Sequence, residues 1–212
     1  DIANVTLLPQ RPVTIKGSIV IAQGSRQDLR PAQFRFTLVP SSPTMMSTPG
    51  LSGSSQPARE DLTFEVTGIP GQMLLRSAGT PQGWAISAVR YNGVDVTDMG
   101  LTIDGSAAGE LEVEVTSVLQ EVSGQVTDGK GQLLPSYVVL IVTQDRDRWA
   151  TAMSRSYAVA RPMREHRFAV RTLAPGNYYA MAFNNLDLSD ARDPDFLETL
   201  RASASTFSDW WS

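Results

Sequence analysis

Apolar and polar residues alternate along much of this chain. Val13, Ile15, Gly17, Ile19 and Ile21 share one parity, with Thr14, Lys16 and Ser18 on the other, up to a turn at Gly24. The same alternation runs through Phe34, Phe36 and Leu38, through Leu62, Phe64 and Val66, and through Leu111, Val113 and Val115, the last interleaved with Glu110, Glu112 and Glu114. A period of two predicts strands with one face on a core and the other in water. Pro70-Gly71, Asn92-Gly93, Asp104-Gly105, Asp128-Gly129 and Pro175-Gly176 punctuate these runs as turn signals. Short strands between regular turns predict a β-sandwich. The longest apolar run, Tyr137 to Val142, is of strand length and too short to cross a membrane as a helix.

Two stretches depart from the alternation. Asp193 stands at a capping position before Pro194 and Asp195, and Phe196, Leu197 and Leu200 form an apolar stripe, which predicts one short helix. Residues 40–60 are rich in Ser, Pro, Gly and Thr and carry no apolar period, which predicts a long mobile loop.

The chain repeats itself. Thr14–Val20 (TIKGSIV) is matched by Glu121–Thr127 (EVSGQVT), each with a glycine inside an alternating strand. Phe64, Val66, Ile69, Pro70 and Gly71 are matched by Phe168, Val170, Leu173, Pro175 and Gly176. The Pro-Gly turns predict positive φ at both Gly71 and Gly176. The reading is a first sandwich domain over 10–118 and a second over 119–212, with residues 1–9 as an N-terminal strand.

At Ser123–Pro135 the pattern S-G-x-V-x-D-x-x-G-x-x-L-P, followed at Phe168–Tyr178 by F-x-V-x-x-L-x-P-G-x-Y, resembles the carboxypeptidase regulatory-like domain family, and the first repeat carries the same skeleton more loosely. The resemblance implies an all-β fold of two tandem transthyretin-like (prealbumin-like, Ig-like) sandwiches, one short helix lying in the second. It implies an accessory or structural role in exported or outer-membrane bacterial proteins, and it carries no catalytic motif.

Against that family the chain departs at both ends. The second sandwich is expected to need a closing strand after the helix, where the chain reads ASASTFSDWWS. Ile2–Leu8 occupies, ahead of the first repeat, the place that Glu110–Thr116 occupies ahead of the second. Ile2, Val5 and Leu7 are therefore candidate contact residues of a strand for another domain or another chain. Folding back on its own first domain, or belonging to flanking parts of a longer protein, are the other readings of this segment.

Composition narrows the chemistry. Forty-two per cent apolar and 19% charged residues suffice for packed cores and exclude a disordered chain. A formal charge of −4 without a basic tract disfavours nucleic acid. With no cysteine, thiol nucleophiles, thiolate metal sites and disulfides are excluded together, and a single histidine, His166, leaves no pair of imidazoles. His166 lies in a charged run without a nucleophile elbow, and reads as a turn histidine. The aspartates at 187, 190, 193 and 195, and at 95, 98 and 104, lack calcium-loop spacing. Of the tryptophans, Trp84 reads as core. Trp149, after Asp145-Arg146-Asp147-Arg148, reads as a sheet-edge contact, and Trp210 and Trp211 as a docking pair or a disordered tail.

The expected function is a non-enzymatic extracellular structural or adhesion module of a bacterium, secreted or held at the cell surface or in the periplasm. It needs no metal or cofactor and has itself or neighbouring domains as partner. It is read as a subunit of a head-to-tail assembly or filament built through β-strand complementation. The alternative is a carbohydrate-binding accessory module of a secreted or outer-membrane protein.

Overall fold

The structure is a computed structural model that describes residues 11–42, 45, 50–105, 109–119, 121–149, 155–171, 173–174, 176–188 and 190–209. The fold is all-β, with one short α-helix complete within the described residues, Pro194–Leu200, and the chain divides between Val118 and Leu119 into two compact units. Among the described residues no helix is long and apolar enough to cross a membrane.

Unit 1 contains β1 (Val13–Ile21), β2 (Arg35–Pro40), β3 (Ser54–Ser55), β4 (Thr63–Gly68), β5 (Gly71–Gly79), β6 (Ala85–Tyr91), β7 (Val94–Asp95), β8 (Leu101–Ile103) and β9 (Glu110–Thr116). A six-stranded sheet in the order β3-β4-β1-β9-β6-β7 faces a three-stranded sheet in the order β2-β5-β8. β9 runs parallel to β1, with Gly17 opposite Leu111 and Ile19 opposite Val113, while the other pairings are antiparallel. The alternation explains the core: Ile15, Ile19, Phe64, Val66, Leu111, Val113 and Val115 meet Phe36, Leu38, Met73, Leu75, Leu101 and Ile103 between the sheets. Leu111, Val113 and Val115 are fully buried. Burial of this kind is worth roughly 2 kcal/mol for each side chain. The glutamates of β9 turn outward, where Arg90 on β6 reaches Glu112 at 2.8 Å and Glu114 at 3.4 Å.

Unit 2 contains β10 (Val122–Gln125), β11 (Val138–Thr143), β12 (Tyr157–Ala160), β13 (Arg167–Val170), β14 (Gly176–Phe183), α1 (Pro194–Leu200) and β15 (Ser205–Asp209). β10 and β13 form an antiparallel pair, and β12-β11-β14-β15 a four-stranded sheet. β11 is buried along its whole length. Val139 and Ile141 face β10 and β13 with Phe168 and Val170, whereas Val138, Leu140 and Val142 face a second cluster with Met181, Leu186, Ala191 and Leu197 of α1. This two-sided burial is why residues 137–142 lack alternation. The helix starts as its residues predict, with the Asp193 carboxylate accepting from the Asp195 amide at 2.9 Å.

Two expectations are corrected, and one stretch is described further. The stretch after the helix is not strandless: Ser205–Asp209 pairs antiparallel with β14, and Phe207 stacks on Tyr178 with centroids 5.5 Å apart. Gly71 has φ +136°, but Gly176 is ordinary extended backbone within β14, so the two Pro-Gly sites are not equivalent turns. Within residues 40–60, Ser54 and Ser55 pair with β4 and Ala58 is buried, so that part of the stretch runs along the sheet.

Burial pushes the Tyr137 phenol above its ordinary value near 10, and its hydroxyl donates to the His166 carbonyl at 2.6 Å. Ionisation is therefore easier in the unfolded chain. The stabilisation is complete below pH 10 and is lost as pH rises through the raised value. Unit 2 is expected to melt progressively lower above pH 10 than at pH 8, and a Tyr137→Phe variant to lose part of that dependence in thermal scans, the rest coming from Tyr157, which burial also pushes up.

Candidate functional site

The feature that separates the two units is the edge of the strand carrying the inner glycine. In unit 1, Gly17 lies opposite Phe64 across the β1–β4 pair, and the Phe64 ring covers it. In unit 2, Gly124 lies opposite Phe168 across the β10–β13 pair, and the Phe168 ring covers it in the same way. β1 has β4 on one side and β9 on the other. β10 has β13 on one side, and no described strand pairs with its other edge. The outer side of β13 is partly covered, since the Met163 amide donates to the Arg167 carbonyl at 2.7 Å. Just beyond β10 the chain turns back, with the Leu134 amide donating to the Val126 carbonyl. Among the described residues the free edge is therefore the four residues Val122–Gln125.

Burial follows the missing neighbour. Phe64 is 2% exposed and Phe168 9%; Val66 is fully buried and Val170 is 8% exposed. Ile15 and Ile19 are buried, whereas Val122 and Val126 are only half-buried. A groove of about 320 Å³ opens between the sheets of unit 2, bounded by Gly124–Thr127 on one side and Ala180–Ala182 and Ser205 on the other, with Val139 and Phe168 at its base. Its lining carries no charged residue. An unpaired strand edge beside an uncharged groove can do one thing well: it can bind the backbone and alternate side chains of an extended segment.

Trp149 is not an edge contact. It is 6% exposed, within the cluster beneath α1, and its indole nitrogen donates to the Thr143 carbonyl at 2.7 Å. A 3-10 turn over Arg146–Arg148, capped by the Asp145 carboxylate, turns the chain so that the charged side chains point out and the indole points in. Trp149→Phe is expected to cost unit 2 about 1–2 kcal/mol, because the carbonyl loses its buried donor and the smaller ring leaves space. Urea titration followed by far-ultraviolet circular dichroism measures this. Trp84 is core as read. No aromatic side chain is among the exposed large apolar groups of the described residues. Ile2, Val5, Leu7, Trp210 and Trp211 lie outside the described residues. His166 sits in an exposed turn, and no group of three or more metal-ligating side chains converges among the described residues.

No protein family matches the chain in a scan of family sequence patterns, so the resemblance to the carboxypeptidase regulatory-like family stays one of motif. No curated protein matches it either. Among solved structures the chain is similar to the Streptococcal ancillary pilin, with 13% identity and a TM-score of 0.34 over 95% of this chain and 59% of that one. It therefore spans less than two thirds of the ancillary pilin's length. It is similar to the shaft pilin spaA from Lactobacillus rhamnosus GG, with 12% identity and a TM-score of 0.32 over 84% of this chain and 89% of that one. It is also similar to a DUF3823 family protein from Parabacteroides merdae, with 12% identity and a TM-score of 0.31 over 82% of this chain and 81% of that one.

Proposed function

We propose that the protein is a non-enzymatic structural module of a bacterial surface assembly, built as two copies of one sandwich, whose second copy is completed by a β-strand supplied from outside the described residues. The observation that carries this reading is the contrast between β1, paired on both edges, and β10, paired on one. Unit 1 supplies the geometry of completion: β9 lies parallel to β1 and sends Leu111, Val113 and Val115 into the core. In unit 2 the corresponding place is an uncharged groove beside an edge with backbone groups to satisfy. A module completed in this way links to its neighbour through main-chain hydrogen bonds and apolar side chains, which suits a load-bearing joint.

A synthetic peptide of the β9 sequence, ELEVEVT, is the direct probe, because β9 already performs this pairing beside β1. Added in excess to the full chain, it is expected to raise the melting temperature of unit 2 and to slow amide exchange in β10. Absence of both effects would mean that β10 does not accept a strand.

A further inference from the structure

We infer that β10 accepts a partner strand that alternates apolar and acidic residues, its apolar side chains turned into the groove and its carboxylates on the outer face within reach of Arg167. This rests on the reading of β10 as a strand acceptor and names the chemistry of what it accepts.

The first argument is an arginine without a carboxylate. Alternation along β13 sends Phe168 and Val170 into the core and leaves Arg167 and Ala169 on the outer face, with Arg171 next on the same side. Glu121 holds the Arg171 guanidinium at 2.6 Å. Among the described residues Arg167 meets no carboxylate; its guanidinium crosses to β10 and donates to the Ser123 hydroxyl at 3.3 Å. A positive charge therefore lies over the strand whose far edge is open. The turn before β13 is tied to the same place, since the Gln125 side chain donates to the Glu165 carbonyl at 2.9 Å. Arg164, Arg167 and Arg171 stand there against Glu121 and Glu165, an excess of one positive charge.

The second argument is the corresponding face of unit 1, where a cation meets an acidic strand. Gly17 matches Gly124, so Lys16 stands where Ser123 stands and Ser18 where Gln125 stands. Lys16 lies opposite Glu110 of β9, and Ser18 opposite Glu112. Lys16, Arg59, Glu65 and Glu110 line one hollow of about 260 Å³, in which Arg59 reaches Glu65 at 3.3 Å. Lys16 is thus the cation beside Glu110. A strand laid along β10 in the register of β9 would bring its first acidic position beside Ser123, one strand spacing of about 5 Å away, where Arg167 already reaches. Serine in place of lysine moves the cation from the accepting strand to its neighbour and keeps its sign.

The third argument is the division between the faces. The groove on the core side has no charged lining, so recognition of charge is confined to the outer face, and alternate residues of one strand answer to the two faces separately. The whole chain carries a formal charge of −4, so its overall field favours a basic peptide, and a preference for an acidic one reports the local face.

The test compares two peptides with the same inward residues and opposite outward charges, ELEVEVT and KLKVKVT. Each is titrated at low ionic strength into the full chain and into Arg167→Gln and Arg167→Glu variants, with protection of the β10 amides as the readout. Arg167 is exposed, so both variants are expected to melt like the parent, and the glutamine variant alone suffices if the charge reversal fails to fold. The parent is expected to bind ELEVEVT about tenfold more tightly than KLKVKVT, one surface charge contact being gained and one repulsion avoided. Arg167→Gln is expected to lose most of that preference and Arg167→Glu to reverse it, and salt at about 0.5 M to shrink it in the parent. Equal binding of the two peptides by the parent, or a preference unchanged in Arg167→Gln, overturns the charge assignment and leaves β10 standing as an acceptor. If neither peptide protects β10, the acceptor reading falls and the charge assignment with it.

Discussion

Replacing Gly17 with valine is expected to cost unit 1 about 3 kcal/mol, whereas Gly124→Val is expected to cost unit 2 about 1 kcal/mol. A Cβ on Gly17 would stand 2.4 Å from the Phe64 ring, with three ring carbons inside 3 Å. That ring is 2% exposed and packs against Phe36 at 4.4 Å between centroids, so relieving the closer clash disturbs the core that β9 closes. A Cβ on Gly124 would stand 2.9 Å from the Phe168 ring, which borders the groove and can shift into it. For a domain of about 100 residues, 3 kcal/mol corresponds to roughly 12 °C or more in melting temperature. Urea unfolding read unit by unit through amide exchange measures both costs. Equal costs at the two glycines would mean that the two cores are equally closed.

Val113→Asp is the second large effect. Val113 is fully buried in β9, between β1 and β6, and a carboxylate there has neither water nor a cation beside it on the core face. The expected cost is on the order of 4 kcal/mol or more, enough to unfold unit 1 at moderate temperature. Unit 2 has its own two clusters of buried residues and is expected to keep its transition. Differential scanning calorimetry reads the loss of one transition and the survival of the other. Loss of both would mean that the units do not fold independently.

Strands that bury one face were legible from alternation alone: β1, β2, β4 and β9 stand where the period of two places them. The helix was legible from Asp193 and Pro194. β15 was not, because Ser205–Asp209 offers only Phe207 to the core and its remaining residues are small or polar, so an edge strand held mainly by β14 has no hydrophobic period to show. Trp149 was misplaced by its charged neighbours, since the 3-10 turn that swings the indole inward leaves no mark in an alternation pattern. Gly176 illustrates the limit of a local motif. Its match to Gly71 is good, but backbone conformation there follows from where the next strand begins, and β14 begins at Gly176 itself. The open edge of β10 was legible only in outline. The residues suggested that unit 2 lacks a closing strand; the structure supplies one more strand than expected and pairs it with β14, and β10 still has a free side among the described residues.

The central claim is that β10 carries an unpaired edge in the isolated chain, and amide exchange resolved by residue tests it most directly. In dilute solution β1 is expected to be protected on both edges over Lys16–Ser18, where it pairs with β4 and β9 together, whereas the β10 amides pointing away from β13 exchange at close to unprotected rates. On addition of the ELEVEVT peptide in excess those same β10 amides are expected to slow as the edge is filled. Protection of those β10 amides in the dilute monomer, equal to that of Lys16–Ser18 in β1, would contradict the account.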